Sequence, residues 1–183
     1  MKTKKLKLIY FFLFVIFAGF ISCKGDVGPA GPAGSDGIDG NANVIASTWI
    51  TPEWSASDTT TAEFIYNDTE ITAEILNNGV VLSYVDWYGD LSQIHSLPLT
   101  YVYSGYDVNY NVTSSVGHIR WWFITLLTSY TPPETLRFRY IIIPSTSVSK
   151  STNSQQEILY NLDRAGVDVK NYYQVMNYFG LNY

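Results

Sequence analysis

Glycine occupies every third position from Gly25 to Gly40, framing the triplets GDV GPA GPA GSD GID GNA. Strict period three marks a collagen triple helix, whose crowded axis admits only glycine. The repeat consists of Gly25, Gly28, Gly31, Gly34, Gly37 and Gly40, and only two triplets carry proline, Pro29 and Pro32, both in the second position. So short a repeat buries little. The favoured reading is therefore an extended tether, roughly 55 Å long at ~3.1 Å per residue. A homotrimeric triple helix is the less favoured reading. Under either, the chain after residue 42 must supply the whole hydrophobic core.

Upstream, Lys2, Lys4, Lys5 and Lys7 precede the apolar run LIYFFLFVIFAGFI over residues 8–21. That run is shorter than the ~20 residues a helix needs to span a bilayer. A basic start, a short apolar stretch and a small residue before a cleavage point describe a secretory signal. The junction FISC at residues 20–23 resembles a bacterial lipobox, with Phe20 where leucine is usual. The resemblance implies cleavage before Cys23, a diacylglyceryl thioether on its sulfur and acylation of the new amine. Acyl chains contribute ~0.8 kcal/mol per buried CH₂, and three of them exceed the two signals that stable anchoring takes. The plainer alternative is a secretory signal with an incidental cysteine, or an uncleaved anchor. The expected organisation is a signal peptide at 1–22, a lipidated cysteine with its collagen-like tether at 23–42, and a globular domain at 43–183.

Four of the 11 basic residues precede Cys23, so the processed chain would carry 7 against 16 acids, a net charge of −9. Little is left to neutralise phosphates, and nucleic acid is excluded as a partner. The single cysteine excludes intrachain disulfides and cysteine-based metal sites. No cofactor is expected. The chain holds 15 Tyr against 2 Met, which leans toward β structure, since aromatic side chains suit a pleated, half-buried surface.

The patterning of the domain agrees. NVIASTWI (43–50) and TAEFIY (61–66) read as strands, separated by a polar loop with Pro52. Ile71, Ile75 and Leu76 recur at helical spacing, with Asp68 as the expected N-cap and Gly79 just past the end. VVLSYVDWY (80–88) is a β run ending at Gly89-Asp90. LPLTYVYSG (97–105) and YDVNYNVTS (106–114) form a hairpin about Ser104-Gly105, with Tyr106, Val108, Tyr110 and Val112 facing one way. GHIRWWFITLL (117–127) is nearly continuous and apolar, which predicts a central strand buried on both faces. RFRYIIIP (137–144) is a further strand ended by Pro144. The tail carries two helical patterns, the second placing Tyr172, Val175, Met176 and Phe179 on one face. The sum is a mainly β fold, an antiparallel sandwich or barrel, with one short internal helix and a helical C-terminal tail.

Taken in order, the lipobox cysteine, the Gly-x-y triplets, ANVI, GVVLSYV, LRFRYIIIP and the terminal YYQVMNYFGL resemble the collagen-like lipoproteins of Bacteroidota-type bacteria. The resemblance spans nearly the whole chain. It implies a lipid-anchored protein of the cell envelope, in the outer membrane, with a β-rich C-terminal domain. It brings no catalytic residues.

The residues themselves point to little chemistry. His95 and His118 lack any zinc-binding spacing and read as structural. No nucleophile elbow and no phosphate-binding loop occurs. Asp86 and Asp90 flank WYG; paired carboxylates can hydrolyse glycosides, but acids beside a turn read more simply as solvated strand ends. Arg120, inside the most apolar strand, reads as an edge exit or a cross-strand ion pair rather than an anion clamp. Arg137 and Arg139 share a strand face and are expected to pair with acids.

The aromatics are the better binding candidates. Trp87, Tyr88, Tyr101, Tyr103, Trp121 and Trp122 could stack on sugar rings or simply form the core. Trp54, in a polar loop, is the one expected to be exposed, so Trp54, Trp87 and Tyr88 are the candidate ligand-stacking residues. The expected function is a non-enzymatic envelope protein that contacts a protein or glycan partner. A carbohydrate-binding module is the alternative, and a hydrolase the more distant one.

Overall fold

The computed structural model describes residues 43–127, 129–145 and 154–183. Cys23, the signal segment and the glycine repeat lie outside the described residues. In chain order the elements are β1 (Ile45–Ala46), β2 (Thr61–Asn67), α1 (Ala73–Asn78), β3 (Val80–Asp86), β4 (Ile94–Ser96), β5 (Leu99–Tyr103), β6 (Tyr106–Ser115), β7 (His118–Thr125), β8 (Arg137–Ile143), α2 (Gln155–Arg164) and α3 (Tyr172–Tyr178). Two four-stranded antiparallel sheets form, in the orders β1-β8-β3-β4 and β2-β7-β6-β5. The fold is mainly β, a sandwich with short helices, as the patterning predicts.

The sequence of β8 explains the layering. Its bulky residues fall on both parities, so one face cannot hide them all. Phe138, Tyr140 and Ile142 enter the core between the sheets, with Val85, Ile119, Trp121 and Phe123. Ile141 and Ile143 join a second core with Val80 and Tyr84 of β3, and with Ile158, Leu162, Val175, Met176 and Phe179. The last five come from α2, α3 and the residue that closes α3. The expected face of the last helix, Tyr172, Val175, Met176 and Phe179, is thus the buried one.

Trp121 is the centre of the inter-sheet core. It stacks on Phe138 with ring centroids 4.9 Å apart and on Phe64 at 5.9 Å. Its indole N–H donates to Ser83 Oγ at 2.8 Å, which accounts for a serine in so apolar a place.

The expectation for β7 fails. β7 is central, between β2 and β6, but only Ile119, Trp121, Phe123 and Thr125 are buried, in strict alternation. Its other face is not covered by any element among the described residues. The strands buried on both faces are β8 and β3, because the C-terminal helices pack on their sheet alone. An antiparallel sheet with one solvated face alternates in this way.

Local details differ for physical reasons too. NVIASTWI is a strand beside β8 only over β1; beyond it, Ser47 N donates to the Tyr140 carbonyl at 3.0 Å, and at Ile50 the N–H and C=O both bond Phe138 at 2.8 Å. Thr72, not Asp68, caps α1, its hydroxyl accepting from Ile75 N at 3.2 Å. Asp68 accepts instead from Glu70 N and from the Tyr140 hydroxyl. Gly79 follows α1 as expected but is extended; a Cβ there would lie 2.9 Å from the Ile143 carbonyl oxygen. Ser104 and Gly105, with φ of 50° and 80°, make the tight primed turn that suits a two-residue hairpin.

Candidate functional site

The uncovered face of the β2-β7-β6-β5 sheet gathers side chains of mixed character. Register sets them in rows: Thr61, Ile124, Asn109 and Thr100; then Glu63, Trp122 and Asn111; then Ile65, Arg120 and Thr113. Arg120 Nε donates to Glu63 Oε2 at 2.5 Å. Of the two structural readings of Arg120 this is the cross-strand ion pair; β7 is not an edge strand, so Arg120 is not an edge exit. The same guanidinium lies 5.7 Å from the Trp122 ring centroid. Thr100 Oγ1 donates to Asn109 Oδ1 at 2.8 Å, and Asn111 Nδ2 to the Asn109 carbonyl at 3.1 Å. Ile65 and Ile124 are about half-exposed between these polar groups. Trp122 Nε1 is a buried atom with no hydrogen-bond partner among the described residues, an uncommon state for a polar group.

The stacking candidates lie elsewhere. Trp54 is not exposed as its polar loop suggests. It folds back edge-on to Phe123 at 5.3 Å and Phe138 at 5.9 Å, closing the inter-sheet core. Trp87 is buried against Tyr101, 4.4 Å away, and Tyr110. Trp121 is wholly buried. Tyr88 is exposed, as are Tyr101 and Tyr103 along β5. Of the three residues singled out, only Tyr88 is open to a ligand.

The charged candidates are mostly structural. Asp86 is fully buried, not a solvated strand end. Its carboxylate accepts from Gly89 N, Leu91 N and twice from Arg137, at 2.8–3.1 Å. It therefore staples the turn that the left-handed Gly89 and Leu91 form. Asp90 is exposed, and its bonds from Ser92 hold its carboxyl below the usual value. Arg137 pairs with an acid as expected, but among the described residues Arg139 does not. Arg139 is buried and donates to the Ser47 carbonyl, the Tyr172 hydroxyl and the Asn182 carbonyl, tying the C-terminus to the first sheet. Both guanidiniums lie over the Trp49 ring, at 5.0 and 5.8 Å.

His95 is exposed in β4, and His118 begins β7. No group of three potential metal ligands occurs among the described residues. Clefts of ≈ 300 and ≈ 220 Å³ adjoin α2. The first is lined by Asp163 and Asp168 and the second by apolar residues with Ser114 and Gln155; neither includes His118, Asp86 or Asp90.

The outward set on β7 was readable only in part. Arg120 signalled an outward parity; Trp122 and Ile124, apolar and on that same parity, masked it. The chain matches no protein-family model, and no curated protein or solved structure matches it significantly.

Proposed function

We propose that this chain is a lipid-anchored protein of the cell envelope, held in the outer membrane by acyl chains on Cys23. Residues 24–42 act as a collagen-like tether, and the β domain is a non-catalytic interaction module. The observation that supports the interaction reading is the asymmetry of the sandwich. One sheet is sheathed by helices, while the other exposes Ile65, Ile124 and part of Trp122 among Glu63, Arg120, Asn109 and Asn111. A partner seated there would bury apolar area and still find hydrogen-bond groups at the rim, the usual make-up of a binding surface.

Two experiments test it. Replacing Cys23 by alanine in the full chain should abolish acyl labelling and release the protein from membranes; retained labelling would refute the anchor. A photo-crosslinking residue at position 124 should give a discrete adduct in the envelope, while one at the exposed position 160 of α2 should not. Equal adducts at both positions would refute the face as the contact surface.

A second reading, glycan capture, is favoured by Trp122 itself, an outward indole flanked by a guanidinium, a carboxylate and amides, groups that suit sugar hydroxyls. Envelope oligosaccharides should then quench part of the tryptophan emission, and Trp122→Phe should remove that part.

A further inference from the structure

Sheet edges are where β proteins invite unwanted pairing, and most edges carry a visible defence. Three of the four edges here do. β1 has two residues and β4 has three, too short to template a partner. β2 is longer, but Ser55 covers its middle: Ser55 N donates to the Glu63 carbonyl at 2.9 Å, and Ser55 Oγ accepts from Glu63 N at 3.1 Å.

β5 has no such defence. Its sequence, LTYVY, holds no charge and no proline. Its register with β6 is continuous from Leu99 to Tyr103, without a bulge. Val102 is 62% exposed, Tyr103 48% and Tyr101 39%. The turn at Ser104-Gly105 makes Tyr103 and Tyr106 a hydrogen-bonded pair, and alternation makes Tyr101 with Val108 the next. Thr100 and Val102 therefore aim their N–H and C=O groups outward. Among the described residues no backbone hydrogen bond from outside the hairpin reaches them.

We propose that β5 pairs with β5 of a second copy of this chain, antiparallel about a two-fold axis at Tyr101. That register sets Thr100 opposite Val102 of the second copy, and the reverse. Every outward group on the two residues then finds its complement, which is what an isologous interface requires. Tyr101 meets its own counterpart in the closely spaced, non-hydrogen-bonded position, ~4.5 Å between Cα atoms. No like charges oppose each other across the pair. The two sheets become one, and because the axis is normal to it, the faces carrying Trp122 lie side by side. The inference stands apart from what binds that face.

The test uses the full chain in its membrane. Tyr101→Cys should form a disulfide-linked dimer on mild oxidation, because non-hydrogen-bonded antiparallel pairs bring Cβ atoms close. Thr113→Cys, on the face of β6 away from the edge, should not, and neither should the parent chain, whose one cysteine is Cys23. Adding Val102→Pro removes an outward N–H while sparing the hairpin bonds, and should cut crosslinking about tenfold, as for the loss of paired edge hydrogen bonds. Its melting temperature checks that the domain still folds, and Thr100→Pro serves as the second such variant. Equal crosslinking from Tyr101→Cys and Thr113→Cys would overturn the proposal. So would crosslinking indifferent to either proline, or a detergent-solubilised particle that sediments as a trimer.

Discussion

The two sheets share a core and differ in what lies behind them. Behind β8 and β3 sit α2 and α3, so their strands are apolar on both parities. Behind β7 and β6 no described element sits, so their strands alternate. The difference teaches that burial in a sandwich is decided by the third layer as much as by strand position. A central strand can be half-solvated, and a strand beside a two-residue edge can be wholly enclosed.

Adjacent tryptophans give the sharpest test. Trp121 fills the inter-sheet core and Trp122 lies on the open face. Trp121→Ala should cost about 3–5 kcal/mol, the range for large aromatic truncations that leave a cavity. Trp122→Ala should cost about 1 kcal/mol, near the average of all substitutions. Denaturant midpoints compare them directly. Similar losses would mean that both faces of this sheet are enclosed.

Ile141→Ala comes next, at about 2–4 kcal/mol, because Ile141 lies against the helices and its removal leaves a gap they cannot close. Ile124→Ala, its opposite number on the open face, should fall within about 0.5 kcal/mol of the parent. If Ile141→Ala were equally mild, the helices would contribute little packing to the first sheet.

Much of this was legible in the residues. Strand existence, the hairpin at Ser104-Gly105 and the buried stripe of the last helix follow from alternation, turn chemistry and helical spacing, which are local. The third layer is not local. HIRWWFIT and RFRYIII look equally apolar, and each contains arginine. Only the docking of residues 155–179, remote in sequence, separates them. Trp54 was obscured for the same reason: its neighbours are polar, but Phe123 and Phe138, which bury it, come from other strands. Asp86 reads as a turn acid until Arg137, also remote in sequence, arrives beside it. The candidate face was therefore visible as single residues and not as a surface. The anchor and the repeat are read from residues that lie outside the described ones.

Alkaline pH probes both cores at once. Burial raises Tyr84, on the helix side, and Tyr110, between the sheets, well above the usual ~10 for tyrosine. Burial likewise raises Tyr140, helped by the carboxylate of Asp68. The folded state therefore keeps protons that the unfolded chain gives up. Their contribution is fully present below pH ~10 and is lost as pH rises from there toward the folded values. The denaturant midpoint should fall steeply above pH ~10, and Tyr84→Phe should flatten that fall. An unchanged slope in Tyr84→Phe would mean that Tyr84 ionises as freely in the folded domain as in the unfolded chain.

The smallest effect belongs to the open face. Arg120 and Glu63 are paired, but both remain partly exposed, so water and salt screen them. The pair should contribute about 0.2–1 kcal/mol in a double-mutant cycle of Arg120→Gln with Glu63→Gln, and less as salt is added. Asp86 with Arg137 is the contrasting pair, since the carboxylate there is wholly buried. Asp86→Asn should cost about 2 kcal/mol, below the full penalty for a buried pair because Arg137 retains some solvent. Salt should change that loss little. A coupling for Arg120 and Glu63 that exceeded ~1 kcal/mol and ignored salt would place that pair in a dry environment. The face behind β7 would then be covered in solution, and β5 pairing, which adds area at the edge of the sheet, could not be what covers it.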